Sequence, residues 1–473
     1  RGERVMHPLY QDVCSVLSKC DSRQGTLKRL CLAPNIRNKR ATLALASETF
    51  RYSEAIEKCL KAAEIADKER DFQDWMIRVL FYEVLVGKGK VQGGGAASRF
   101  VKEHAPRVKE QFARLTQEAG PEGLVETREQ ELAMPRYARV NTLKLSVPEA
   151  VARLQESGFE LVDYAALVAA LGVRARRFAL DDTLSDVVLF PHGTDLHAHP
   201  MVLSSEIRLQ DKASCFPAHV LAATARPIRV ALDACSAPGN KTTHLSALMG
   251  GEGRLIAVEM DKNRRQLLGR TVDIMGAGNV EIVGADFLTL PRQKKPYCDV
   301  EGIMLDPSCS GSGIVGRSAR DADVDPEQSK KRLQRLCEFQ TKALNHALGF
   351  PGVRRVVYST CSVHREENED VVAACLERHK DAFELEEALP SWHRRGLPLF
   401  DSAHKCIRVK HEDLAQGFFV ACFVRKEVAG PTGGAGTKEG TLAETAAVKR
   451  AAPSGAEKAV STRAESGGGR VEG

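Results

Sequence analysis

Two cysteines stand at positions where their thiols could act as nucleophiles. Cys309 lies in the segment 306–313 (DPSCSGSG) and Cys361 in the segment 358–362 (YSTCS). Each segment directly follows a short β-rich run, and an acidic run at 366–370 indicates a helix start just after the second. A helix N-terminus can lower the pKa of a nearby thiol and favour the nucleophilic thiolate. Most cysteines are buried and inert, but two thiols that each follow a strand of one sheet favour catalysis.

A second segment could hold a nucleoside cofactor. Residues 233–243 (DACSAPGNKTT) form a turn of small residues between a predicted strand and a predicted helix, where backbone N–H groups can approach a polar ligand. Glu259 follows Gly239 by 20 residues, at the end of the next strand, and its carboxylate could accept both ribose hydroxyls. Asp286, just past the third strand, could accept an adenine amino group. An ordinary strand–turn–helix connection with surface acids explains the same spacing equally well.

The elements that must position these residues are short β-rich runs that alternate with helical segments. The runs are 230–233, 254–258, 280–283, 302–305 and 353–358. This alternation predicts an α/β fold with a doubly wound, mostly parallel sheet. Ligands of such sheets bind beyond the carboxyl ends of the strands, so we expect both thiols to face one cofactor crevice. Residues 406–409 and 417–424 could add a terminal hairpin.

The pattern divides the chain into four parts. Residues 1–133 are predicted to form a helical N-terminal domain, 134–208 a small α/β subdomain, 209–427 the Rossmann-like domain and 428–473 a disordered tail without aromatic residues. Residues 88–114 carry seven Lys or Arg against two Glu, which fits either an RNA backbone contact or a solvated helix face. Arg174, Arg176 and Arg177 could contact phosphates, or they form a plain charged surface.

Composition limits the class of protein. The 473 residues are 43% apolar and 27% charged, and the net charge of +6 is compatible with a nucleic-acid partner without establishing one. The longest apolar runs, such as 418–424, are far too short to span a membrane. The thirteen cysteines show no Cys-x-x-Cys spacing, so we expect thiols in a reducing compartment. His192, His197 and His199 with Asp195 superficially resemble a metal cluster, but no second cluster completes it, and we predict no metal.

Four segments together resemble the Sun-domain RNA cytosine carbon-5 methyltransferases. The segment 136–144 (RYARVNTLK) is similar to that family's entry motif, and 233–242 resembles its cofactor turn. The segments around Cys309 and Cys361 resemble its two catalytic cysteine motifs. The resemblance covers roughly residues 134–426. Further segments (51–53, 82–89, 194–200 and 209–215) are similar to those of the eukaryotic members that modify large-subunit ribosomal RNA.

The resemblance implies an enzyme with a class I S-adenosylmethionine-dependent methyltransferase fold and a small RNA-recognition-like subdomain. It implies methylation of carbon 5 of a cytosine in large-subunit ribosomal RNA, in the nucleolus, through a covalent cysteine–carbon 6 adduct. Cys361 would be the nucleophile and Cys309 would assist release, while Asp306 would hold ring N3 and Lys241 would orient Asp306 or the base. The residues implied for binding S-adenosylmethionine are Cys235, Ser236, Ala237, Pro238, Gly239, Asn240, Lys241, Glu259, Arg264, Asp286 and Asp306. Close relatives carry Asp where this chain has Glu259, so Asp261 is the alternative ribose ligand.

Three other functions compete with this interpretation. A DNA cytosine methyltransferase would use a Pro-Cys nucleophile, which the Ser-Thr-Cys sequence at 359–361 disfavours. An adenine amino methyltransferase would carry a second proline and an aromatic residue after Asp306-Pro307, where this chain has Ser308 and Cys309. The third alternative is an RNA-binding ribosome-assembly factor whose methyltransferase activity is not essential; its signature would be the loss of one catalytic thiol, and both thiols are present here.

Overall fold

A computed structural model describes residues 6–22, 24–25, 27–65, 74–123, 134–173, 175–314 and 326–426. The predicted disordered tail at 428–473 and Arg174 lie outside these residues. The helices are Pro8–Asp21 (α1), Leu27–Cys31 (α2), Lys39–Arg51 (α3), Ser53–Ala62 (α4), Asp74–Leu85 (α5), Ala96–Gly123 (α6), Val147–Glu156 (α7), Tyr164–Ala169 (α8), Pro200–Leu203 (α9), Lys212–Ala222 (α10), Asn240–Leu248 (α11), Lys262–Met275 (α12), Pro326–Leu348 (α13) and Glu369–His379 (α14). Within the described residues no helix is both long and apolar enough to cross a bilayer.

The first six helices follow the apolar periodicity of the N-terminal sequence. Leu17, Ile56 and Leu80 are fully buried in one core that α1 to α6 share. The periodic stretch 41–60 is divided between α3 and α4, because Tyr52 adopts a non-helical conformation that ends one helix and begins the next. Asn38 caps α3, since its side-chain oxygen accepts the N–H of Ala41 at 3.1 Å.

A five-stranded sheet forms the small α/β subdomain. Its strands are Arg136–Val140 (β1), Glu160–Leu161 (β2), Arg177–Leu180 (β3), Val187–Phe190 (β4) and Ile207–Leu209 (β5), in the order β2-β3-β4-β1-β5. Asn141, directly after β1, fixes the sheet against α12: its side-chain amide donates to the carbonyls of Ser205 at 3.0 Å and Met275 at 2.9 Å. The buried amide therefore connects the subdomain to the following domain.

The larger sheet has eight strands. They are Val230–Asp233 (β6), Arg254–Val258 (β7), Val280–Val283 (β8), Gly302–Leu305 (β9), Arg355–Thr360 (β10), Phe383–Glu386 (β11), Ile407–Val409 (β12) and Phe418–Arg425 (β13). The main order is β11-β13-β10-β9-β6-β7-β8, with β12 paired to β13. The pairs among β6 to β10 are parallel and those of β13 are antiparallel, so the predicted doubly wound, mostly parallel sheet is confirmed.

Two strand predictions differ in detail from the structure. The fifth run, predicted at 353–358, forms β10 two residues later, because Arg355 pairs with Gly302 and the pairing with β13 continues to Thr360. The predicted terminal hairpin is present as β12 and β13, and β13 also inserts between β10 and β11. Such a central position explains why the run 418–424 is uniformly apolar: both of its faces are buried.

The strand order creates a switch point. From β6 the chain adds β7 and β8 on one side, whereas β9 and β10 lie on the other. A crevice opens outside the carboxyl ends of β6 and β9 in this topology, and ligands of open α/β sheets bind there. Asp233 ends β6 and Asp306 directly follows β9, so both carboxylates lie at this crevice.

A buried ion pair connects α14 to β12. Glu369, the first residue of α14, is fully buried and accepts hydrogen bonds from Arg408 Nε at 2.6 Å and Nη2 at 2.5 Å. Its Oε1 also accepts the backbone N–H of Leu397 at 2.9 Å. Arg408 in turn donates from Nη1 to the carbonyl of Val363 at 2.9 Å, two residues after Cys361. The pair therefore fixes the loop that carries one of the two thiols.

We expect Glu369→Gln to destabilise the large domain. Removing one charge of a buried pair leaves Arg408 uncompensated, which costs about 3–5 kcal/mol and lowers the unfolding midpoint by roughly 6 °C or more. Glu377→Gln on the same helix is the control, because its pair with Lys380 is exposed and contributes little. Scanning calorimetry measures both midpoints; equal shifts for the two variants would contradict the structural role of the pair.

Candidate active site

The two cysteines come together at the carboxyl ends of neighbouring strands. Register pairs Tyr358 of β10 with Leu305 of β9, so the segments that follow these strands leave the sheet side by side. The sulfur atoms of Cys309 and Cys361 are 3.1 Å apart, although 52 residues separate them in sequence. Both residues are partly exposed. The expectation that both thiols lie at one crevice therefore agrees with the geometry.

A buried carboxylate holds the Cys309 loop. Glu367 is fully buried, and its carboxylate accepts three hydrogen bonds: from Ser310 N at 2.9 Å, from Ser310 Oγ at 2.6 Å and from Gln340 Nε2 at 2.9 Å. Gln340 also donates to the carbonyl of Ser308 at 3.0 Å. The residues on both sides of Cys309 are thus fixed by one anion and one amide.

Hydroxyl groups and glycines join the two cysteine loops to each other. The hydroxyls of Ser310, Ser312 and Ser362 lie 3.1–3.2 Å from one another. Gly313 donates its N–H to the carbonyl of Cys361 at 3.0 Å. A Cβ on Gly313 would lie 2.1 Å from the carbonyl oxygen of Gly417, so the backbones approach more closely than any side chain permits.

One cation lies at the crevice beside the thiols. Lys241 Nζ is 2.9 Å from Asp306 Oδ2, and Ser359 Oγ donates to Asp306 Oδ1 at 2.9 Å. Burial lowers the pKa of Lys241, but the charge of Asp306, its hydrogen bond and the nearby Cys361 raise that pKa by more. Lys241 is therefore protonated, and its charge favours a thiolate at Cys361.

The two thiols differ in their tendency to ionise. The pKa of Cys309 is raised far above its ordinary value, first by the hydrogen bond with Cys361, then by burial and by the charges of Cys361, Asp306 and Glu367. The expectation of a lowered thiol pKa near a helix N-terminus is wrong for Cys309, because the hydrogen bond with Cys361 and burial raise its pKa, and the nearby negative charges add to the rise. Cys309 therefore keeps its proton and can donate it to its neighbour.

The turn after β6 has the close packing that its small residues predict. Gly239 has a φ of 102°, and a Cβ there would lie 3.0–3.1 Å from side-chain atoms of Leu268 and Thr271. Asp233 accepts a hydrogen bond from Thr242 Oγ1 at 2.7 Å and a second from the N–H of Cys235 at 3.3 Å. Burial raises the pKa of Asp233 to about 6, the hydrogen bond from Thr242 opposes this rise, and the charge of Asp306 adds to it.

The other residues of the predicted cofactor set lie along this turn and helix. Ser236 donates its hydroxyl to the carbonyl of Asp233 at 2.8 Å. Ala237 and Pro238 continue the turn, and Asn240 begins α11 with its side chain accepting from Arg208 Nε at 3.0 Å. Burial raises the pKa of Cys235, so this thiol is not ionised.

Glu259 and Asp261 have different surroundings. The buried Glu259 follows β7; its Oε2 lies 3.3 Å from Arg264 Nη2, which also donates to the carbonyl of Ala237 at 2.8 Å. Glu259 therefore lies near the turn after β6. Asp261 instead caps α12, where its side chain accepts the N–H of Arg264 at 2.8 Å. Asp286, beyond β8, accepts the N–H of Leu288 at 3.0 Å.

The hydrogen-bond acceptors of the crevice suit a cationic nucleoside. Carboxylates follow four adjacent strands in the order β9-β6-β7-β8: Asp306, Asp233, Glu259 and Asp286. Carboxylates accept hydrogen bonds from ribose hydroxyls and from an amino group, and they favour a positive charge. The arrangement can therefore hold a sugar, a base and a cation in a row that ends at the two thiols.

Three groups of the site were not identified from sequence. Glu367 and the hydroxyl cluster bind residues next to the two thiols, and Asp211, whose pKa burial raises to about 6, interacts with Lys241. The acidic run 366–370 was the signal for Glu367, but exposed acids before a helix look the same in sequence. The residue instead lies in a short 3₁₀ turn, Arg365–Glu367, and faces inward.

Histidines cluster at a different place from the sequence candidates. His192 contacts the carbonyl of Met134, His197 contacts Asp195, and His199 caps α9. Among the described residues, the group with metal-ligand spacing is instead Asp186, His219 and His244. The Nε2 atoms of His219 and His244 lie 2.7 and 2.8 Å from the two carboxylate oxygens of Asp186. Burial and the charge of Arg139 lower the pKa of His244 to about 3.

Comparisons with known proteins match three segments of the chain. Residues 220–424 match the family described as 16S rRNA methyltransferase RsmB/F. Residues 134–210 match the ferredoxin-like domain, and 40–122 the N-terminal domain, of NOL1/NOP2/Sun domain family member 5.

Three relatives match most of the chain in sequence. The chain is 39% identical over 428 residues to a 28S rRNA (cytosine-C(5))-methyltransferase of Mus musculus. The matched stretch covers 89% of this chain and 91% of the relative. It is 37% identical to the 25S rRNA (cytosine-C(5))-methyltransferase NSUN5 of Arabidopsis thaliana, covering 85% of this chain and 69% of that relative. A 25S rRNA (cytosine-C(5))-methyltransferase of Schizosaccharomyces pombe is 34% identical and covers 87% and 90%.

Solved structures share the fold. The crystal structure of PH0851 superposes with a TM-score of 0.59 at 18% identity and covers 89% of this chain and all of that one. A methyltransferase homologue from Pyrococcus horikoshii gives 0.50 at 21% identity, covering 79% and 99%. These structures confirm the predicted class of fold, and the relatives confirm the resemblance noted in the sequence. The chain therefore belongs to the NOL1/NOP2/Sun domain family of methyltransferases.

Proposed function

We propose that the chain methylates carbon 5 of a cytosine in large-subunit ribosomal RNA. The observation that carries the proposal is the pair of thiols 3.1 Å apart beside the Lys241–Asp306 ion pair. The named relatives act on 28S and 25S ribosomal RNA, which supports the large subunit as the source of the substrate. Ribosomal RNA of this subunit is made in the nucleolus, and a nucleolar location is part of the proposal.

S-adenosylmethionine is the methyl donor we propose. When bound, it supplies an electrophilic methyl group on a sulfonium ion. Glu259 would accept the ribose hydroxyls and Asp286 the adenine amino group. Asp233 and Asp306 provide negative charge at the end of the row near the thiols. Cys235, Ser236, Ala237, Pro238, Gly239 and Asn240 form the turn that borders the cofactor, and Arg264 orients Glu259.

The chemistry requires cytosine carbon 5 to become nucleophilic. The Cys361 thiolate would form a bond to carbon 6 and break the aromaticity of the ring, which leaves carbon 5 enamine-like and able to take the methyl group. Negative charge then develops toward ring N3. Asp306, aligned by Lys241 and Ser359, would hold the proton that N3 acquires.

Release of the methylated base breaks the bond between the Cys361 sulfur and carbon 6. A solvent base would take the proton from carbon 5; the electron pair of that C–H bond re-forms the carbon 5–carbon 6 double bond, and the Cys361 sulfur leaves as a thiolate with the pair of the broken C–S bond. Cys309 assists this step, because it is protonated and lies within hydrogen-bonding distance of the departing sulfur. Each thiol thus has one role: one is charged for attack and the other remains protonated for release.

Replacement of either thiol tests the reaction. We expect the full chain to transfer labelled methyl groups to large-subunit rRNA, and Cys361→Ala to lower the rate at least about 10³-fold because no nucleophile remains. Cys309→Ala should instead accumulate a protein–RNA adduct that survives a denaturing gel. Cys298→Ala, outside the crevice, is the matched control. Normal transfer by Cys361→Ala would contradict the mechanism, and RNA binding without any transfer by the wild type would favour the assembly-factor alternative.

Lys241 should set the pH at which the enzyme works. Without its charge the Cys361 thiol ionises less readily, so we expect Lys241→Gln to lower kcat/KM at least about tenfold at pH 7 and to recover much of this loss at pH 9. The measurement is a pH–rate profile, with the exposed Lys380→Gln as control. An equal loss at both pH values would mean that Lys241 acts through the position of Asp306 alone.

Glu259 and Asp261 can be distinguished by cofactor affinity. Glu259→Gln removes a charged acceptor and should raise the Kd for S-adenosylmethionine about tenfold or more. Asp261→Asn keeps the helix cap, because asparagine caps as well as aspartate, and should change the Kd less than twofold. Calorimetric titration of both variants decides between the acids, and the reverse result would assign the ribose to Asp261.

A further inference from the structure

A second cavity lies on the small subdomain and shares no residue with the crevice of the thiols. It measures about 420 Å³, within the range of about 300–1,000 Å³ usual for ligand sites. It lies between the loop after α7, the residues before β3 and the loop after β4. Phe159, Arg176, Asp195 and His199 are the lining residues that could recognise a ligand.

An arginine stacked on a phenylalanine forms one wall. The guanidinium carbon of Arg176 lies 4.8 Å from the centre of the Phe159 ring. Phe159 is buried and packs edge-on against Phe190 at 5.4 Å and His199 at 5.9 Å, so the ring cannot turn away. Arg176 Nη2 donates to the carbonyl of Ser157, which fixes the guanidinium. Planar groups held in this way are surfaces on which bases stack.

His199 offers a donor that lacks an acceptor. Its Nδ1 accepts the N–H of Met201 at 3.3 Å, and burial followed by the charge of Arg176 lowers the pKa of the ring. The neutral ring therefore carries its proton on Nε2. Within the described part of the chain this nitrogen is shielded from water and has no hydrogen-bond partner. Once a small movement of the ring exposes Nε2 to the cavity, an oxygen atom of a ligand would remove the cost of that unmade bond.

Charge at the cavity favours a nucleotide over a protein segment. In the described residues no carboxylate pairs with Arg176, whereas the adjacent Arg177 pairs with Glu160 at 2.9 Å. Asp195, at the rim, is 2.5 Å from His197 and could accept a base amino group. A lining of arginine, aspartate and histidines suits a base and its phosphate better than an apolar side chain.

We propose that this cavity binds an unpaired nucleotide of the RNA substrate, outside the target cytosine. Its base stacks on the Arg176–Phe159 pair, and one of its oxygen atoms accepts the Nε2 proton of His199. The inference rests on the proposed function, since it deepens the recognition of the same RNA. Single-stranded segments are the regions of RNA whose bases can be displayed in this way.

The test compares Arg176→Gln with Arg177→Gln in the full chain. The probe is a transcribed large-subunit rRNA fragment, with Kd measured by fluorescence anisotropy and KM and kcat by methyl transfer. Loss of one stacking contact should raise Kd and KM about five- to tenfold for Arg176→Gln and leave kcat unchanged. Arg177→Gln, whose charge is already paired, should stay within twofold of the wild type.

His199→Asn is the second variant, because asparagine keeps the cap of α9 and removes the imidazole donor. It should raise Kd at least threefold, and it decides the matter if Arg176→Gln has a lowered unfolding midpoint. An unchanged Kd for both variants, or an equal loss for Arg177→Gln, would overturn the proposal. If the wild type binds the fragment through Arg176 but transfers no methyl group, the proposed reaction fails and the nucleotide site stands. If it binds no fragment, both fail.

Discussion

The active site depends on keeping one negative sulfur beside several carboxylates. Lys241 is the cation at the centre of this group. It interacts with Cys361, Asp306, Asp233 and Asp211. Like charges at such distances repel strongly where water is scarce. Burial raises the pKa of Asp233 and of Asp211 to about 6, and the pKa of Cys309 is raised by its hydrogen bond with Cys361 and by burial, so Cys309 adds no negative charge at neutral pH. Lys241 offsets the charge of Asp306 directly, through their 2.9 Å contact.

The hydrogen-bond partners of Glu367 are neutral, which also limits the number of charges near the thiols. This carboxylate is fully buried near the thiols, yet its hydrogen bonds come from a backbone N–H, a hydroxyl and an amide. A buried anion can be stabilised by such donors when each is well placed. In the described part of the chain the donors to Glu367 are therefore neutral, and the Cys309 loop is supported without a second cation that would compete with Lys241.

The sequence predicted the elements better than the interactions between them. The strands β6 to β9 coincide with the predicted runs. β9 is fully buried and apolar, as a central parallel strand must be, whereas β8 lies at the sheet edge and carries the exposed Glu281. The residues that line the site could be predicted as well, because they stand where strands end. The ionisation of Cys309 could not be predicted, since it depends on a sulfur 52 residues away and on Glu367, an acid that resembles any exposed helix start. The Asp186–His219–His244 group likewise joins three distant segments that no local pattern connects.

That group also determines how the small subdomain is held against the large sheet. Burial alone would raise the pKa of Asp186, but hydrogen bonds from His219 and His244 hold it well below its usual range. Arg139, fully buried on β1, carries the compensating positive charge and donates to Thr243 of α11. Buried charges of this kind add little stability compared with apolar packing, but they permit one relative placement of the segments that carry them. A fixed placement is what the proposed binding of one RNA by both the subdomain and the thiol crevice would require, because a displaced base would no longer reach Cys361. Burial and the charge of Arg139 lower the pKa of His244 to about 3, so this ring stays neutral at the pH values at which a thiolate can act.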